Sequence, residues 1–236
     1  MIGTLINIAG VLIGGALGTR IGSRLPERVS QTVVAGLGLF TMGFGLQMFL
    51  KNQNPLIAAG SLLIGALLGE WWQIEEGLKR FGAWLEKRFT SSQQEGGQVV
   101  FIKGFLTASL LFCIGPMAIL GSIQDGLRGD YQVLAVKSVL DAFASMAFAS
   151  SLGIGVLFSV IPLLIYQGGI TLLAAQVQSV VTTSMMTEMS AVGGLILLAL
   201  AISSLLEIKH IRAGNYLPAL VIAPLLVWVL SLFGAQ

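Results

Sequence analysis

Two carboxylates stand inside stretches of sequence that are otherwise apolar. Asp141 lies in KSVLDAFASMAFASSLGIG, four residues after Lys137, and Glu188 ends the hydroxyl-rich run TTSMMTE. An ionisable group at a helix centre costs at least about 2.5–3.5 kcal/mol on insertion, so it marks function by default. For Asp141 the spacing leaves two readings open. As i,i+4 neighbours, Lys137 and Asp141 face each other on a helix and would neutralise one another. Alternatively the carboxylate, with Ser138 and Ser145 on its face, binds a cation or takes up a proton. Glu188 follows Thr182, Thr183, Ser184 and Thr187. It reads either as a first-turn acid beside a hydroxyl cap or, with those hydroxyls, as an all-oxygen ligand set for a hard cation. The identity of any metal stays open. Glu70, next to Trp71 and Trp72, reads as an interfacial anchor.

Three further features belong to the same search. Gly115-Pro116 interrupts an apolar stretch. Proline removes a helical hydrogen bond, and freed carbonyls at membrane depth are tolerated where they are buried or face a cavity. A broken, substrate-lining helix and a simple packing kink are both open. Asn7 and Gln47 either line such a cavity or bond between helices. Gly10, Gly14 and Gly18 have the small-xxx-small spacing that lets helix backbones approach closely, and here the structural reading is preferred.

The elements that carry these residues follow from composition. Of 236 residues, 55% are hydrophobic and 10% charged, against about 25% charged in a soluble domain. Mean hydropathy is +0.88. The apolar residues form continuous blocks near the ~20 residues that span a ~30 Å hydrocarbon core, not the alternating pattern of a barrel. The expected fold is all-α: a polytopic transmembrane helix bundle of about eight spans, forming a single domain over residues 1–236. Residues 1–70 hold three spans. From Trp71 to Phe89 apolar residues recur at three- and four-residue intervals among charges, which predicts an amphipathic interfacial helix. Thr90 to Gln98 reads as a linker, and 99–236 holds the remaining spans. The first block opens at Ile2 without a basic leader and reads as a span, not a cleavable signal.

Lys and Arg gather after spans one (Arg20, Arg24, Arg28), three (Lys79, Arg80, Lys87, Arg88) and seven (Lys209, Arg212). With an even count these loops share the cytoplasmic side and both termini face outward. Ala35–Leu50 aligns without gaps to Ala191–Leu206, with Ala35/Ala191, Gly38/Gly194, Leu39/Leu195 and Leu50/Leu206 identical. The two spans would run in opposite directions, as in the inverted repeats of secondary transporters; chance similarity between apolar helices is the alternative.

The opening Asn7, Val11, Leu12, Gly14, Gly15, Leu17, Gly18 pattern, RLPER, FCIGPMAILGSIQDGLRGD, KSVLDAFASMAFASSLGIG and MTEMSAVGGLILL resemble the YdfK/YqgA family of bacterial membrane proteins over nearly the whole chain. That family is one of unknown function, so the resemblance implies the membrane class and leaves the activity open. More distantly, DAFASMAFASSLG is similar to an Asp-Ala-Phe-Ala element in manganese exporters of the LysE-type superfamily.

Other classes are disfavoured. No loop holds the dense basic cluster of a nucleic-acid binder. Cys113 is the sole cysteine and His210 the sole histidine, which leaves no triad or Cys-based cage, and no phosphate-cradling loop or cofactor motif is present. The expectation is a non-enzymatic secondary transporter or facilitator for a small ion or solute in the bacterial inner membrane. Its partners would be the bilayer, its solute and, through the smooth glycine face, a second copy of the chain. The alternative is a structural or regulatory membrane protein. The residues expected to bind solute or ion are Asn7, Gly115, Pro116, Ser138, Asp141, Thr187 and Glu188, with Asp141 and Glu188 approaching one polar cavity.

Overall fold

The structure is a computed structural model that describes residues 1–89 and 97–232; most of the expected linker lies outside them. All regular elements among these residues are helical, and the chain is a polytopic transmembrane helix bundle. In chain order the α-helices are α1 (Ile2–Gly22), α2 (Glu27–Phe49), α3 (Pro55–Trp72), α4 (Ile74–Phe89), α5 (Gly97–Ile114), α6 (Pro116–Arg128), α7 (Gln132–Leu152), α8 (Val160–Leu172), α9 (Ala174–Val180), α10 (Thr183–Leu200) and α11 (Ala219–Leu232). A 3-10 stretch, Gly153–Ser159, joins α7 to α8, a π-helical turn, Ala201–Leu205, ends α10, and a second 3-10 turn, Ala213–Tyr216, precedes α11.

Local chemistry sets the boundaries. Asn54 caps α3, its Oδ1 accepting from the Leu56 amide at 3.0 Å, with Pro55 pre-set for the first helical position. Gln73, in the left-handed region at φ 52°, ends α3. The amphipathic helix therefore begins at Ile74, and Trp71 and Trp72 belong to the preceding span instead of the interfacial stripe. Gly115 is extended (φ −70°, ψ 144°), so the apolar stretch that Gly115-Pro116 interrupts divides into α5 and α6. α5 alone has 18 residues.

Seven stretches among the described residues are long and apolar enough to cross a membrane. The longest, Gln132–Leu172, has 41 residues, about twice what a ~30 Å core needs. It breaks at Gly153, whose φ of 71° and ψ of −160° no side-chain-bearing residue adopts readily. Leu134 at the start of α7 packs on Gly3 and Gly121, whereas Thr171 near the end of α8 packs on Gly126 of the same α6. α8 thus returns to the end of the bundle from which α7 set out, and the pair counts as two crossings.

The chain divides into two compact units that interleave in sequence. The first, Met1–Leu37 with Leu78–Ser179, is organised by a parallel seam between α1 and α7. Gly10, Gly14, Gly18 and Gly22 abut the backbones of Ser138, Ala142, Met146 and Ser150 in turn. The four-residue spacing on both helices keeps one small face against the other. Ser138 and Ser145 donate to the Ile6 and Val11 carbonyls at 2.9 and 2.8 Å across the seam. Gly155 and Gly104 bring α5 against the α7–α8 break, through Phe101 and Leu152. The apolar side of α4 is buried there through Leu85, with Phe101 and Phe105.

The second unit, Gly38–Gly77 with Val180–Gln236, packs α3, α10 and α11 together with the later part of α2. Gly38 meets Leu205 and Leu206, and Gly45 meets Gly194, so α2 and α10 run antiparallel. Gly65 and Gly69 receive Ala219 and Asn215, which sets α11 antiparallel to α3.

Candidate polar site between buried helices

In the first unit a charge pair lies within the bundle. Lys137 and Asp141, one turn apart on α7, form an ion pair, and they are only 5% and 8% exposed. The i,i+4 pair that this spacing allows is therefore formed. The carboxylate is not closed off by Lys137 alone. Asn7 on α1 donates from Nδ2 to Asp141 Oδ2 at 3.0 Å and to Gln167 Oε1 on α8 at 3.3 Å. One amide thereby ties three helices together and uses both of its N–H groups. The Lys137 ammonium stands 5.9 Å from the centre of the Phe112 ring, a cation–π distance, three residues before the Gly115 break.

The network is incompletely satisfied. Asn7 Oδ1 and Gln167 Nε2 are buried without a hydrogen-bond partner, as are the hydroxyls of Thr4, Thr171 and Ser122. Thr4 and Asn7 share a face of α1, and Gln167 and Thr171 share a face of α8, by their three- and four-residue spacings. Each buried, unpaired polar group costs about 1–3 kcal/mol. Ordered water or a polar guest with both donors and acceptors would satisfy such a set. Ser138 is placed beside this network, but its hydroxyl is donated to the Ile6 carbonyl.

Glu188 occupies a different environment. Thr182 caps α10 as the sequence suggests, its hydroxyl accepting from the Met185 amide at 3.2 Å. Glu188, however, lies beyond the first turn and serves another helix. Its Oε1 accepts from the Gln53 and Asn54 amides at 2.7 and 2.9 Å, placing negative charge at the N-terminus of α3. Its Oε2 is buried without a partner. Thr187 is turned away, donating to the Thr183 carbonyl at 3.0 Å. Asp141 belongs to the first unit and Glu188 to the second, and each carboxylate has its own partners within its unit. Gly115 and Pro116 form the α5–α6 break of the first unit.

Several organising residues carry no local signal in the sequence. Gln167 is wholly buried in a helix that reads as apolar. Asp125, in the segment SIQDGLRGD whose sequence reads as a loop, accepts from the Gly3 amide at 3.0 Å and so caps the start of α1. Asn215 joins three segments of the second unit. Its Oδ1 accepts from the Glu75 amide at 2.8 Å, and its Nδ2 donates to Glu70 Oε2 at 2.7 Å. Glu75 Oε2 accepts from the Gly214 amide at 3.1 Å. Glu70 also pairs with Arg212, so this interfacial residue is fixed by partners more than 140 positions away.

Comparison with known proteins agrees with this architecture. The family model described as "Protein of unknown function (DUF554)" matches residues 2–228. The chain is 38% identical over 223 residues to "Uncharacterized protein YqgA" of Escherichia coli K12, covering 94% of each chain. It is 30% identical over 240 residues to "Uncharacterized membrane protein YdfK" of Bacillus subtilis 168, covering all of both. No solved structure matches. These matches lend no support to the short likeness to LysE-type exporters. The chain belongs to the DUF554 family.

Proposed function

We propose that this DUF554 member is a secondary transporter or facilitator that carries a small ion or polar solute across the bacterial inner membrane. The observation that carries the reading is the Lys137–Asp141–Asn7–Gln167 network, a charged and under-satisfied polar centre shared by α1, α7 and α8. Intramembrane charges and unpaired polar atoms of this kind mark solute and ion pathways. The adjoining Gly115 break supports it, since discontinuous helices line transporter sites. Asp141 and Glu188 are the groups through which a proton or cation would couple. The antiparallel contact of α2 with α10 supports an inverted repeat.

Basic residues support the orientation. In the second unit Lys209 and Arg212 lie at the end where α3 finishes, and Lys51 at the end where it starts. By the positive-inside rule the former faces the cytoplasm.

The test is solute-dependent stability and uptake. Purified protein is screened in detergent and proteoliposomes against small metal cations, protons, amino acids and short organic acids. At least one should stabilise the parent and accumulate in vesicles, and Asn7→Leu and Asp141→Asn should abolish both responses. A parent and variants that respond alike to every solute would refute the reading.

A further inference from the structure

The second unit holds a feature that plays no part in the transport reading. After the π turn of α10 the chain bends through Glu207, in the left-handed region at φ 53°. It then folds back over the last turn of α3, held by the Ile211 amide donating to Ser203 Oγ at 3.1 Å. The fold-back and the end of α3 border an open, shallow pocket of about 560 Å3, whose polar lining is Glu70, Lys209, His210, Arg212, Asn215 and Tyr216. Glu70 is the one acid in that lining, and its two oxygens are engaged by Arg212 and the Asn215 amide. Arg212 uses one nitrogen on Glu70 and keeps further N–H donors of its fork. Lys209 and His210 are exposed. Lys209 and Arg212 against Glu70 leave the lining net positive without His210.

Two observations fix what such a site would hold. The pocket lies at headgroup depth, because Trp71 and Trp72 directly follow Glu70 and are 78% and 61% exposed; tryptophans at the ends of spans sit at the membrane–water interface. Below it on α3, Leu63 and Leu67 are 69% and 74% exposed. With Trp71 they form an exposed apolar stripe at four-residue spacing, beside the Ala66–Glu70 face that lines the pocket. A free phosphate has no use for that stripe. A phospholipid does, with its acyl chain on the leucines and its phosphate among Arg212, Lys209 and the Tyr216 hydroxyl.

We propose that this pocket binds the phosphate of an anionic phospholipid headgroup. The lipid bridges the end of α3 to the 209–216 segment and holds the fold-back in place. The inference does not depend on the transport reading.

The test uses the full chain in detergent, with binding followed by native mass spectrometry and thermal stability. The probes are phosphatidylglycerol, phosphatidylcholine and inorganic phosphate. Phosphatidylglycerol should be retained in preference to phosphatidylcholine and should raise the melting temperature, while inorganic phosphate at millimolar concentration leaves it in place. Lys209→Gln should weaken phosphatidylglycerol binding about fivefold, the effect of one cation near an anionic surface, and Lys209→Arg should restore it. Lys51→Gln, which makes the same charge change at the other end of α3, should have no effect. Equal retention of the two lipids, displacement by inorganic phosphate, or equal losses in Lys209→Gln and Lys51→Gln would each overturn the proposal.

Discussion

Replacing Gly14 by alanine adds one methyl group and tests the seam on which the first unit is built. A Cβ at this position would run first into the carbonyl oxygen of Ala142, and would lie 2.8 Å from its carbonyl carbon and 3.0 Å from its Cα. Carbon atoms prefer about 3.5–4.0 Å. The obstacle is backbone, which has no rotamer to change, so α1 and α7 must separate by on the order of 1 Å. A gap of that size forfeits a quarter to a half of each dispersion well it opens. It also stretches the bonds from Ser138 and Ser145 to the Ile6 and Val11 carbonyls, now 2.9 and 2.8 Å. Overpacking of this kind costs about 1–3 kcal/mol, against a gain of up to about 1 kcal/mol from replacing glycine in a helix. Gly36 and Gly43 on α2 supply the comparison, because a Cβ at either meets nothing within 4 Å. Alanine there keeps the propensity gain without the clash. Unfolding of the purified protein in mixed SDS micelles should therefore rank Gly14→Ala below the parent and Gly36→Ala level with it or above. The seam argument fails if Gly14→Ala is as stable as the parent, or if Gly36→Ala loses as much.

Other outcomes follow from the polar contacts. Lys137→Met strands the Asp141 charge in the bundle and should cost about 3–5 kcal/mol, whereas Lys137→Met with Asp141→Leu should recover most of it; thermal unfolding of singles and double decides, and a double as damaged as the sum of the singles refutes the pairing. Glu188→Ala leaves the Gln53 and Asn54 amides without their acceptor and should cost about 1–3 kcal/mol. Hydrogen exchange should locate that loss at the start of α3, and unchanged protection there would show that the cap is unimportant. In a Cys113→Ser background, a cysteine at Lys51 should react with an impermeant maleimide from outside the cell and one at Lys209 only after the membrane is opened. The reverse pattern would invert the topology.

The sequence exposes what depends on residues close together in the chain. Continuous apolar blocks fix helix class and spans, glycines four apart announce a close-packed face, and Lys137 and Asp141 four apart announce a pair. It does not expose which helix such a face meets, because the glycines of α1 mark a surface and not its partner. Asn7 and Asp141 are separated by 134 positions and Asn7 and Gln167 by 160, and no local periodicity connects them. Glu188 shows the same limit: its place near a helix start is legible, but the amides it bonds come from another helix. Gln73 shows a smaller one. A left-handed glutamine lacks the glycine that normally announces a helix stop, so the amphipathic pattern runs on unbroken through Trp71.

The turn at Gly153 bears on how the protein is made. Leu152 on one side of it and Val156 on the other are 3% and 0% exposed, so α7 and α8 are joined without a polar loop to rest in water between them. The expected route is entry of both from the translocon as one helical hairpin. A sequence inserted at that tip, harmless in an ordinary loop between spans, should arrest biogenesis and send the chain to proteolysis.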